Sequence, residues 1–207
     1  MIRIEKTAVS GFEAAIRGMR NPMNSWGNSD SYFGEQYPET IGENDLDLMK
    51  RLAKAGTEHA KYLRYIIVTA DLIAPLYWYK EMDCYRAGVE HNSCSTMHKI
   101  QAKEFTKEDF STEHLNAFSR SLLSTTIKAL NVYRNNYLTS KTKDDWWQMI
   151  QILPSSYNQR RTYLFSYQAL AAIYKQRKGH RLDEWNAFCK WIETLPHSEI
   201  ITGKVVK

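Results

Sequence analysis

Residues 57–99 read TEHAKYLRYIIVTADLIAPLYWYKEMDCYRAGVEHNSCSTMHK, and the fold turns on how this stretch divides. Tyr62 to Ile73 is rich in Ile, Val, Tyr and Thr, which predicts a strand. Pro75 suits the first turn of a following helix that carries Tyr77, Trp78 and Met82. Residues 86–99 are polar, hold one glycine and show no periodicity, so they predict a loop. Chemistry-bearing side chains crowd this stretch: Glu58 and His59 before the strand, Glu81 and Asp83 at the helix end, then Arg86, Glu90, His91, Ser93, Ser95, His98 and Lys99. Such a loop between regular elements is a candidate ligand site. A solvated surface loop is the competing reading.

Outward from this stretch, the pattern alternates between strand and helix signals. Ile2 and Ile4 alternate with Arg3 and Glu5, a short strand. Ser10 is placed to cap a helix bearing Phe12, Ala15, Ile16 and Met19 on one face. Residues 20–43 are dense in Asn, Gly, Ser, Asp and Pro and predict a long loop, a length that often serves function. Arg20, Asn21, Ser25 and Trp26 lie within it. Asn44 or Asp45 is expected to cap a helix that ends at Gly56. Downstream, helices are expected over 112–136 (Leu115, Phe118, Leu122, Ile127, Leu130, Tyr133), 144–152, 160–177 and 182–195. With no repeat or linker, residues 1–207 read as a single α+β domain, rich in helix, with an antiparallel sheet.

Composition narrows the function classes. The chain has 207 residues and a net charge of +5, a bias that suits an anionic partner. The basic residues form no long tract, so direct nucleic-acid binding is not expected. Cys84, Cys94 and Cys189 contain no C-x-x-C pair, which argues against a disulfide framework or a zinc site, and no metal is expected. The N-terminal residues lack an apolar core for a signal peptide, and Tyr65 to Tyr79 is too short and broken to span a bilayer. A cytoplasmic location follows as an expectation. Neither G-x-G-x-x-G nor a Walker motif is present, and Ser93-Cys-Ser95-Thr-Met-His98 lacks the G-x-S-x-G elbow of a hydrolase.

His59, Ala74-Pro75 and Cys84-Tyr85-Arg86 together resemble the core of the flavin-dependent thymidylate synthase family. That family has a histidine, an A-P dipeptide and an R-H-R element at this spacing, followed by S-x-R-Y. Leu153-Pro154 and the stretch from Tyr174 to Trp185 resemble its last segment. The resemblance covers roughly residues 57–99 and 150–190. It implies FAD bound in a homotetramer and a pyrimidine deoxynucleotide as substrate, with methylenetetrahydrofolate and a reduced nicotinamide as co-substrates. The implied reaction is the reductive methylation of dUMP to dTMP.

Carried over position by position, the resemblance assigns His59, Tyr85, Arg86 and Ser166 to the flavin. It assigns Glu81, Ser93, Ser95, His98 and Arg177 to the nucleotide, with Arg177 polarising the pyrimidine ring as the catalytic cation. Arg86 suits a diphosphate because a guanidinium binds phosphate bidentately; it would equally pair with Asp83 or Glu90. Glu81 accepts hydrogen bonds and donates none. The chain departs from the pattern where Cys84 and Tyr85 replace two of the R-H-R residues. Met97 and Ile150 stand where phosphate-gripping arginines are implied, with His98, Lys99, Arg160 and Arg161 as nearby substitutes. These departures leave two alternatives: a related flavoenzyme acting on a different pyrimidine nucleotide, and a non-enzymatic nucleotide-binding descendant.

Overall fold

The computed structural model describes residues 1–34 and 39–203. Its strands are β1 (Arg3–Ser10), β2 (Ile67–Pro75), β3 (Val89–Ser93) and β4 (Asn158–Ser166). Its helices are α1 (Phe12–Arg20), α2 (Glu43–Lys54), α3 (Leu76–Met82), α4 (Thr96–Lys99), α5 (Ala117–Ser140), α6 (Lys143–Ile152), α7 (Tyr167–Arg177), α8 (Asp183–Glu193) and α9 (Glu199–Thr202). The strands form a sheet in the order β1-β2-β4-β3. β2 and β4 run antiparallel: Leu76 N donates to Tyr157 O at 3.0 Å, and Tyr167 N donates to Ile66 O at 2.9 Å. β3 meets β4 in the same sense through Cys94 N to Arg160 O and Ser166 N to Gly88 O. The α+β class and the antiparallel sheet agree with the sequence.

Several boundaries differ, each for a local reason. Residues 60–64 form a 3-10 turn ahead of β2 and are not part of the strand. The expected loop at 86–99 contains β3 and α4, with Ser95 Oγ accepting from His98 N at 3.0 Å to cap the short helix. The largest correction is β4, which occupies the first half of the helix expected over 160–177. Gln159, Arg161, Tyr163 and Phe165 are buried while Arg160, Thr162 and Leu164 are exposed, the period of two that defines a half-buried strand. A buried arginine in that register disguises the alternation.

Helix starts are also set by unexpected residues. Gly11, not Ser10, precedes α1, with φ +94. A Cβ there would collide with the carbonyl of Tyr65, so only glycine permits the close approach. The first N–H groups of α2 are capped across the loop, since Asp30 accepts from Asn44 N at 2.9 Å and Asp45 N at 3.1 Å.

The chain divides into two compact units, each assembled from three segments: residues 1–4, 71–84 and 91–162 in unit 1, and 5–70, 85–90 and 163–207 in unit 2. Unit 1 is built on the antiparallel pair α5 and α6, around Ile100, Phe105, Phe110, Ile127, Leu130 and Met149. Phe118 and Leu122, expected on the buried stripe of α5, are 78% and 61% exposed, because the helix packs against the core only from Leu123 onward. Unit 2 buries Phe12, Ile16 and Met49 together with Ile173, Trp185 and Phe188.

The described part of the 20–43 segment is fastened to unit 2 by a buried carboxylate. Asp45 is fully buried and Arg20 is 4% exposed. Asp45 Oδ1 accepts from Arg20 Nε at 2.6 Å, and Oδ2 accepts from the hydroxyls of Ser29 and Ser31 at 2.7 Å each. Residues 35–38 lie outside the described residues. Burial raises the Asp45 pKa, but the Ser29 and Ser31 hydroxyls and the Arg20 guanidinium outweigh it and bring the value below 3.8. A lowered folded pKa contributes stability above the unfolded value, and that contribution is lost as pH falls through the folded value. Asp45→Asn is expected to cost about 3–5 kcal/mol in urea unfolding at neutral pH, the usual penalty for orphaning a buried charge. The gap to wild type should narrow once the pH drops below 3.8.

Candidate functional site

Unit 2 contains a cavity of about 1420 Å³, bounded by the C-terminal half of α2, the 3-10 turn, α7 and α9. Typical small-molecule pockets hold roughly 300–1,000 Å³, so this one has room for an extended ligand. Its apolar wall includes Ala53, Ala60, Leu63, Ile67, Ala169 and Ile200. Lys50, Lys54, Arg64, Lys175 and Lys178 supply cations, while Glu199 is the one carboxylate among its described lining residues. Glu199 pairs with Lys50 at 3.6 Å. Arg64 Nε donates to Gln168 Oε1. The side chains of Lys54 and Lys175 have no hydrogen bond or ion pair among the described residues, so their charge is available to an anion.

Gly88 and Ser166 form a tight corner of this cavity. Ser166 N donates to Gly88 O at 2.8 Å, and Ser166 Oγ accepts from Ala169 N at 3.2 Å, which caps α7. Gly88 has φ +71, and a Cβ there would strike Ser166 Oγ. Ser166 is thus the one expected flavin residue that lines the cavity. His59, Tyr85 and Arg86 do not line it, although Thr57, Ala60, Ala87 and Gly88 beside them do. His59 and Arg86 are exposed. Arg86 and Glu90 form no ion pair with each other, and Asp83 is paired with Arg161.

Arg177 sits in a second cluster of unit 2. Its Nε donates to the Tyr85 phenol oxygen at 2.8 Å, and that phenol donates to Gln176 Oε1 at 2.9 Å. The guanidinium lies 4.5 Å from the Trp185 ring centroid and 5.5 Å from that of Tyr85. Two aromatic faces and one phenol therefore fix the direction of this cation.

Glu81, Ser93, Ser95 and His98 belong to unit 1. Ser93, Ser95 and His98 are exposed and Glu81 is half-buried. Only His98 borders the unit 1 cavity, a space of about 620 Å³ also lined by Met97, Tyr137, Lys141, Lys143 and Trp146. Sequence reasoning offered Arg161 as a substitute cation for phosphate and missed the polar network that holds it in this unit. Buried Arg161 stacks 3.8 Å from the Tyr79 ring centroid and donates to Asp83 at 2.6 Å and Gln159 at 2.9 Å, with His91 Nε2 at 3.2 Å. The signal was the alternation of Gln159, Arg161, Tyr163 and Phe165, which fits a strand better than a helix. No group of His, Cys, Asp and Glu able to hold a metal ion is found among the described residues. No helix among them is long and apolar enough to cross a membrane.

This fold is that of the flavin-dependent thymidylate synthases. No protein-family profile and no curated protein matches the chain. Among solved structures it is similar to flavin-dependent thymidylate synthase ThyX from Helicobacter pylori complexed with FAD and dUMP. The two share 15% identity over 97% of each chain, with a TM-score of 0.70. A second structure of thymidylate synthase X from the same organism, with FAD and dUMP, gives 14% identity and TM-score 0.69 over 98% of this chain and 97% of that one. It is also similar to the UMP/dUMP methylase PolB from Streptomyces cacaoi bound with 5-Br dUMP, at 13% identity and TM-score 0.62, over 98% of this chain and 95% of the other.

The corner at Gly88 yields a coupling prediction. Gly88→Ala is expected to destabilise by about 1–3 kcal/mol, from its positive φ and the collision. Ser166→Ala should cost about 1 kcal/mol through the lost cap. In a double-mutant cycle read by chemical denaturation, the pair should cost less than the sum, because removing Oγ relieves the clash.

Proposed function

We propose that this chain is a flavin-dependent enzyme that modifies a pyrimidine nucleotide, and that its reaction is the methylation of dUMP to dTMP. The observation that carries the reading is the unit 2 cavity, whose apolar wall and surplus of cations suit a planar ring system tied to phosphates. The likeness in fold to structures holding FAD and dUMP supports it.

The residues present fit FAD. Lys54, Lys175 and Lys178 are placed to hold its diphosphate, and the Ala and Leu side chains of the wall suit its rings. Gly88 keeps the backbone low where a Cβ would fill the corner. When bound, reduced FAD would be the source of a hydride for the pyrimidine ring, with methylenetetrahydrofolate as the proposed one-carbon donor and a reduced nicotinamide as the proposed reductant. His59, Tyr85 and Arg86 complete the proposed flavin set. Glu81, Ser93, Ser95 and His98 of unit 1 are assigned to the nucleotide. Arg177 is the proposed catalytic cation, polarising a pyrimidine carbonyl. Tyr85 and Trp185 orient it before substrate arrives, which removes a reorganisation cost from the barrier. Residues 1–207 act as one domain in this proposal, within a homotetramer in the cytoplasm.

A second reading is favoured by one observation. Met97 is 48% exposed and Ile150 packs against the unit 1 core, so neither brings charge to a phosphate. A related flavoenzyme acting on a different pyrimidine nucleotide meets this directly.

The test is calorimetric titration with FAD, followed by mass analysis of dUMP and UMP incubated with FAD, methylenetetrahydrofolate and NADPH. Wild type is expected to bind FAD, and Lys54→Glu/Lys175→Glu to bind it at least about ten-fold more weakly with unchanged far-ultraviolet dichroism. Equal affinity in both proteins would remove the cavity from the account. A methyl gain on dUMP supports thymidylate synthesis, and a gain on UMP alone moves the assignment to the second reading.

A further inference from the structure

A carboxylate sits among the cations of the unit 2 cavity. Glu199 is the one acid among the described lining residues, which include Lys50, Lys54, Arg64, Lys175 and Lys178. It is carried by α9, whose backbone is well fastened within unit 2. Tyr167 Oη donates to Pro196 O at 2.5 Å, and Ser198 Oγ donates to Glu193 O at 2.9 Å. Ile200 and Ile201 on either turn of the short helix are buried. The carboxylate is thus presented from a fixed element, with 15% of its side chain exposed.

Its partner is Lys50 on α2, whose side chain is 39% exposed. The pair is loose: Nζ and Oε1 are 3.6 Å apart, longer than a hydrogen bond. The pairs that hold the fold are tighter, with Arg20 and Asp45 at 2.6 Å and Arg161 and Asp83 at 2.6 Å. Neither the Lys50 nor the Glu199 side chain has a second ion pair or hydrogen bond among the described residues. A lysine ammonium rides on a flexible stem, so Lys50 is free to turn to another anion while α9 stays in place. A phosphate oxygen offers it a charge-assisted hydrogen bond of roughly 2.7–2.9 Å, a stronger contact than the one it leaves.

We propose that Glu199 is an internal competitor for the cavity: its carboxylate holds Lys50 in the ligand-free protein, and an entering phosphate takes Lys50 from it. Lys50 then adds to the cations that grip the ligand, and Glu199 keeps the affinity below what those cations alone would give. The naming of the ligand as FAD rests on the proposed function above. The competition itself rests on the loose pair and the lone carboxylate, and extends to any phosphate ester or pyrophosphate that enters.

The experiment is a double-mutant cycle on affinity. The full chain is titrated calorimetrically with FAD and, separately, with inorganic pyrophosphate. The proteins are wild type, Glu199→Gln, Lys50→Met and the double variant; the substitutions keep side-chain length, and circular dichroism checks each fold. Glu199→Gln is expected to tighten binding by about three- to five-fold, near the upper end for a partly exposed ion pair. In the Lys50→Met background the same change should alter affinity by less than about two-fold, because no ammonium remains to be freed. With Lys50→Arg in place of Lys50→Met the gain should return, which separates lost charge from altered folding. Plain repulsion between Glu199 and the ligand would give an equal gain in both backgrounds, and that result overturns the proposal. Unchanged or weaker binding by Glu199→Gln overturns it too. FAD binding without this coupling removes the competitor and leaves the flavin reading standing. A coupled cycle with pyrophosphate but no FAD binding removes the flavin reading and keeps the competitor. Binding of neither ligand overturns both.

Discussion

The buried hydroxyl of Ser166 is the point on which unit 2 depends. It ends β4, caps α7 through Ala169 N, and its own N–H bonds the carbonyl of Gly88. Because no Cβ fits at residue 88, the chain leading from residue 86 into β3 is pressed against the start of α7. α7 then carries Lys175 on one side toward the cavity and Arg177, at its end, toward Tyr85 and Trp185. A single side chain therefore anchors the helix that carries both Lys175 of the cavity wall and the candidate catalytic guanidinium.

Electrostatics separates the two kinds of cation in this chain. Arg20, Arg160 and Arg161 are each satisfied by a carboxylate at 2.6 to 2.9 Å and serve the fold. Lys54, Lys141, Lys143 and Lys175 border cavities without a carboxylate bound to them. Lysine carries a compact charge on a flexible stem, suited to meeting phosphate oxygens that arrive with a ligand. Arginine, with its planar fork, is better suited to the fixed pairs that hold β4 and the 20–34 segment.

How much of this was legible in the sequence differs by element. The β1–α1 start, the Pro75 boundary and the α5 and α6 helices were readable, because their hydrophobic periods are regular and proline restricts its neighbours. Residues 158–166 were not, since Tyr163 and Tyr167 imitate helical spacing and a buried arginine breaks the expected pattern of burial. β3 carries almost no apolar signal; Val89 is its one buried residue, and pairing with β4 makes it a strand. Of the site, Ser166 was found through resemblance, yet its role as cap follows only from geometry. Arg161 was read only as a substitute cation for phosphate, and the lysines of the two cavities were not singled out, because neither burial of a charge nor a shared opening is a local property of sequence.

The central claim is that unit 2 holds a flavin nucleotide. The most direct measurement is the visible absorbance spectrum of the purified protein, before and after incubation with FAD and desalting. Retained flavin bands, shifted from those of free FAD by an enclosed, largely apolar surrounding, are the predicted result. A spectrum without flavin bands in both samples would contradict the claim and leave only the fold in common with the flavin-dependent thymidylate synthases.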